Sequence, residues 1–147
     1  MQRFQFRLQR VLAWQQRLCR TEEDKLRLCL AALAETENKL ARLSAEAVSI
    51  EQEFSTQAAL SPADLRALAA FRRNAVVIRQ KLERELGARV AAADAQRQAL
   101  LHARRRLQIL EKLRDRALAE HTRAADREAE ALSLESYLST WVSARRR

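Results

Sequence analysis

The chain has 147 residues but only one glycine and one proline, far below their usual shares of about 7% and 5%, so its secondary structure has room for one or two breaks. Leu, Ala, Arg and Glu dominate and aromatic residues make up 5%, a composition of long helices and coiled coils that excludes a sheet-built globular core. With 28 basic against 19 acidic residues the net charge is +9, which attracts nucleic acid, anionic lipid or an acidic protein surface without choosing among them.

The first residues, through Leu8, carry Arg3 and Arg7 and lack the continuous apolar stretch of a secretory leader. No run of 18 apolar residues follows anywhere, so a cytoplasmic protein without a membrane span is expected. Cys19 and Cys29 stand ten residues apart, about 15 Å along a helix, too far for a disulfide within it; two reduced, packed thiols are expected.

A first helix is predicted over about residues 4–58. Position a of its heptad register holds Leu12, Cys19, Leu26, Leu33, Leu40, Ala47 and Phe54, and position d holds Leu8, Gln15, Glu22, Cys29, Thr36, Leu43 and Ile50. The polar d residues between 15 and 36 are expected to loosen the seam there or to contact something besides the partner helix. Ser61, Pro62 and Asp64 then supply an N-cap, a first-turn proline and an acid at the third helical position, so a bend is placed at about 59–62 and a second helix over about 62–142. Its seam runs through Leu68, Phe71, Ala75, Ile78, Leu82, Leu86, Val90, Ala93, Leu100, Ala103, Leu107, Leu110 and Ala117, with Gly87 a soft spot inside it.

A helix with one apolar stripe cannot remain alone in water, and a short connection makes two such helices antiparallel neighbours. The fold class is therefore all-α: one domain over 1–147, a long antiparallel two-helix coiled-coil hairpin in which residue i lies near residue 121 − i. Charge agrees with this direction. Residues 31–60 carry two basic and five acidic groups, a net of −3, and face residues 61–100, which carry eight basic and four acidic groups, a net of +4. Residues 1–30 and 101–147 are each +4, so the end holding both termini is basic on both helices.

Catalytic chemistry finds no support. His102 and His121 lack Cys or His neighbours at metal-ligand spacing, the lone Gly87 cannot form a phosphate loop, and a two-helix rod has no concave pocket for a catalytic set, so no enzyme, no metal and no cofactor is expected. Arg72 and Arg73, Arg104 to Arg106, and Arg145 to Arg147 form basic runs, but Glu111, Asp115, Glu120 and Asp126 follow the second closely and no aromatics interleave for base stacking. The runs read as solvated faces before they read as an interface for nucleic acid. Trp14, Tyr137 and Trp141, with Phe4 and Phe6, are expected to gather at the basic end, either as interface anchors or as a cap on the coil.

The opening Phe4, Phe6, Arg7, Leu8, Val11 and Leu12, then Glu22 and Glu23 and a leucine-spaced helix, resembles the N-terminus of the flagellar FliJ family. Leu110 through Leu113 and Arg116, followed by a charged helix, is similar to the family's second signature. The resemblance covers nearly the whole chain but departs at the tail, where Leu134 through Trp141 replaces an acidic-hydrophobic segment. It implies an antiparallel hairpin like the central stalk of a rotary ATPase, acting in the flagellar type III export apparatus. It further implies binding to the hexameric export ATPase, to the export-gate membrane protein and to substrate-specific chaperones, with location at the cytoplasmic side of the inner membrane through those partners. By that analogy Arg3, Phe4, Phe6, Arg7, Arg10 and Trp14 would meet the ATPase ring, while Phe54, Phe71, Arg72 and Arg73 near the bend would meet the export gate. The alternatives are the equivalent stalk of a virulence-type system, a generic coiled-coil scaffold, and an Arg-rich nucleic-acid binder.

Overall fold

A computed structural model describes residues 4–57 and 59–145. They form two helices, α1 (Gln9–Thr56) and α2 (Pro62–Arg145), and no strand occurs among the described residues. The fold is the expected all-α helical hairpin. The first helix starts later than expected: residues 4–6 are not helical and 7–8 form a turn in which the Gln9 N–H donates to the Phe6 carbonyl at 3.0 Å. No acid and no Ser, Thr, Asp or Asn stands there to cap an earlier start.

At its other end α1 runs out through its own hydroxyls. Ser55 Oγ donates to the Gln52 carbonyl at 2.8 Å and Thr56 Oγ1 to the Glu53 carbonyl at 2.9 Å, side-chain bonds that compete with continued helix. The second helix opens on a reciprocal cap. The Ser61 N–H donates to Asp64 Oδ2 at 2.9 Å, and the Asp64 N–H donates to Ser61 Oγ at 3.2 Å, so two free donors of the first turn are satisfied while Pro62 has none to satisfy. The hydrogen bonds from Ser61 hold the Asp64 carboxyl below the usual carboxylate range.

The chain divides into two compact units: a turn unit, Arg20–Leu101, and a terminal unit in which the residues up to Cys19 pack with those from His102 onward. In the turn unit the heptad residues Leu26, Leu33, Leu40, Ala47 and Phe54 are half-buried on α1, opposite Leu68, Phe71, Ala75, Leu82, Ala93 and Leu100 of α2. Ile78 and Val90, expected in the seam, are exposed. They sit at the edge of the stripe, since a helix of 3.6 residues per turn drifts about 20° per heptad from a strict seven-residue repeat. In the terminal unit Leu12 and Cys19 are buried, as is Ala103 of α2. Neither cysteine is in a disulfide.

The polar d residues do the opposite of what the sequence suggests. Gln15 and Thr36 are only 3% and 2% exposed and rank with the most buried side chains of the seam. Gln15 Nε2 donates across to the Ala103 carbonyl at 3.1 Å, and Thr36 Oγ1 donates back to Ala32 of its own helix at 3.0 Å. Among the described residues no buried side-chain nitrogen or oxygen lacks a partner, so both groups are accommodated in the seam, and Gln15 adds a bond across it.

Gly87 lies inside α2 with helical backbone, and an added Cβ would meet nothing within 4 Å. Gly87→Ala therefore removes unfolded-state freedom at no steric cost and should stabilise the protein by roughly 0.5–1 kcal/mol. A raised melting temperature in thermal denaturation checks this; an unchanged or lower one contradicts it.

Candidate functional site

No helix among the described residues is long and apolar enough to cross a membrane, and none of their His, Cys, Asp and Glu side chains group in threes that could hold a metal ion. Each unit instead carries exposed side chains and shallow depressions.

In the terminal unit the segment before α1 lies against α2. Phe4 meets His121 edge-on, with ring centroids 5.4 Å apart and planes at 64°, and Phe6 lines a depression with Leu8, Leu113 and Ala117. Both rings are half-buried, so they fasten the segment as much as they present it. Arg7 and Arg10 are exposed and Trp14 is 59% exposed. Arg3 lies outside the described residues.

The expected gathering of aromatics is not found. Phe4 is level with His121, whereas Tyr137 and Trp141 lie 16 and 20 residues further along the same helix, about 24 and 30 Å at 1.5 Å per residue. The reason is that α2 runs on past the point where α1 begins. Trp141 instead carries the Arg145 guanidinium over its ring, 4.1 Å from the centroid.

In the turn unit a groove of about 450 Å³ beside the bend is lined by Leu43, Ala47, Val48, Phe71, Ala75 and Val76, with Glu51, Arg72 and Arg79 at its edge. Phe54 and Phe71 are half-buried and Arg73 is exposed. Arg72 is not a bare solvated charge: its Nε reaches Glu51 Oε1 at 3.1 Å across the two helices. Of the four bend residues, the structure brings Phe71 and Arg72 to one groove.

Farther from the bend, Gln96 Nε2 donates to the Glu22 carbonyl at 3.2 Å and also to the Glu22 carboxylate. Lys25, 2.7 Å from Glu22 Oε1, and then Gln96 hold that carboxyl below the usual range. Sequence reasoning passed over Gln96, although it stands three residues after Ala93 and four before Leu100, at a seam position.

Against this geometry, a family model described as flagellar FliJ protein matches residues 4–133. The chain belongs to the flagellar FliJ family. No curated protein and no solved structure matches it. The match takes in all of α1, the bend and most of α2, and so includes the Arg7, Arg10 and Trp14 surface and the groove beside the bend. It stops before Leu134.

The cross-helix pair Arg72–Glu51 has both side chains more than half exposed, so it contributes about 0.2–1 kcal/mol at low salt. Glu51→Lys should lower the melting temperature slightly, the loss should shrink in high salt, and Arg72→Glu in the same chain should restore it. A double variant no better than Glu51→Lys alone would remove this contact from the account.

Proposed function

We propose that this FliJ-family chain is a non-enzymatic stalk of the flagellar type III export apparatus, located at the cytoplasmic side of the inner membrane through its partners. The observation that carries the reading is the family match over residues 4–133, together with an all-α helical hairpin. In this reading the start of α1 engages the hexameric export ATPase through Arg3, Arg7, Arg10 and Trp14, with Phe4 and Phe6 holding the segment in place. Exposed Arg and Trp are the residue types that anchor interfaces, and the positive charge of this surface favours an acidic lining in the ring. The groove lined by Phe71 and Arg72, together with Phe54 and Arg73 outside it, is assigned to the export gate, and substrate chaperones are the remaining class of partner.

Arg7→Glu with Arg10→Glu should weaken binding to the purified export ATPase at least several-fold, mainly by slowing association and flattening its salt dependence. Trp14→Ala should weaken it by speeding dissociation. Both should reduce stimulation of ATP hydrolysis with helicity retained, while Arg72→Glu with Arg73→Glu should spare ATPase binding. If the bend variant loses ATPase binding and the α1 variants keep it, the two surfaces have been assigned the wrong way round; if all bind as the parent chain does, the ATPase reading fails.

A further inference from the structure

Charge is unevenly divided between the two units. Residues 1–19 and 102–147, the terminal unit, carry 15 basic and 7 acidic groups, a net of +8, while residues 20–101 carry 13 and 12, a net of +1. Within the terminal unit α2 turns Ala103, Leu107, Leu110, Ala117 and His121 toward α1, all buried or half-buried. At 3.6 residues per turn, Arg105, Ile109, Lys112, Arg116, Arg123 and Arg127 fall within an arc of about 60° on the opposite side, and all six are exposed. They form a straight row about 33 Å long. No acid shares that arc between Arg105 and Arg127. Asp115 and Asp126 follow one edge, Glu120, bound to Arg116 at 3.0 Å, follows the other, and Glu130 closes the row.

The shape of this row selects what it can meet. A protein partner needs apolar anchors at the centre of its contact, and the row offers Ile109 alone. A nucleic-acid groove brings phosphates to both flanks of an inserted helix, and from Glu111 onward the flanks of this one hold acids and no base. A flat anionic surface meets only the crest of the helix, and there each base contributes about 1 kcal/mol without an apolar anchor.

We propose that the outer face of α2 between Arg105 and Arg127 adsorbs to an anionic phospholipid bilayer, by charge and not by insertion. The hairpin then has a direct hold on the membrane surface in addition to any attachment through partner proteins. Because the row lies on the side of α2 turned away from α1, adsorption leaves the seam between the helices undisturbed. Its residues are not among those assigned to the export ATPase, so the inference does not rest on that reading and its failure would leave that reading standing.

In a flotation experiment the full chain should rise with vesicles of phosphatidylglycerol and phosphatidylcholine in equal parts, stay behind with phosphatidylcholine alone, and be released by high salt. Replacing Arg105, Lys112 and Arg123 by Gln should weaken partitioning at least about tenfold, with helix content checked by circular dichroism. Replacing Arg73, Lys81 and Arg84 by Gln removes the same charge from the turn unit and should weaken it by less than about twofold. Equal loss in the two variants overturns the proposal, because net charge and not the row would then hold the chain. Binding to phosphatidylcholine alone, or no binding to the mixed vesicles, overturns it too. So does duplex DNA or polyglutamate bound as tightly as the mixed vesicles with the same dependence on Arg105, Lys112 and Arg123, since the row would then serve a different polyanion.

Discussion

The requirement that a single apolar stripe be covered governs this molecule. Neither helix has an apolar surface wide enough for a core of its own, and in water an isolated helix with one such stripe is marginal. Where the stripe of α1 is met by that of α2, side chains from Leu12 to Phe54 are buried or half-buried. Where α2 runs on without a partner, Leu132, Leu134, Tyr137, Leu138 and Trp141 are all exposed. The same constraint explains the hairpin and leaves the apolar face of its tail exposed.

Covering the stripe does not by itself fix which residue faces which, because leucines at heptad spacing can slide by a turn. Two seam glutamines, buried Gln15 and half-buried Gln96, supply that information. Gln15 reaches from α1 to the backbone of α2 at Ala103, whose small side chain leaves the carbonyl accessible, and Gln96 reaches from α2 to the backbone of α1 at Glu22. A slip of one turn would leave each amide buried without its partner, at a cost of about 1–3 kcal/mol. Polar groups within a coiled-coil seam commonly set register in this way.

Much of the fold was legible in the sequence because it depends on local rules. Apolar spacing of 3 and 4 gave the two stripes, and Ser61, Pro62 and Asp64 gave the bend and the start of α2, where capping involves residues three apart. What was not legible depends on residues far apart. The burial of Gln15 is decided by an alanine 88 positions away, so the residue read as a weak point turned out to be one of the tightest. The aromatic cluster was inferred from nearness to the two termini, but α2 continues 20 residues beyond His121 before reaching Trp141, which parts Phe4 from Trp141. Phe4 and Phe6 have the composition of interface anchors and yet are half spent on α2, a balance that side-chain type alone cannot give.

Hydrogen exchange followed by peptide along α2 tests the governing constraint most directly. Amides between Leu68 and His121, where α1 covers the stripe, should exchange slowly as two cooperative sets, one per unit, and amides from Arg127 to Arg145 should exchange far faster because nothing covers that face. Equal protection along the whole of α2 would contradict the account, since the helix would then persist without a partner for its apolar stripe.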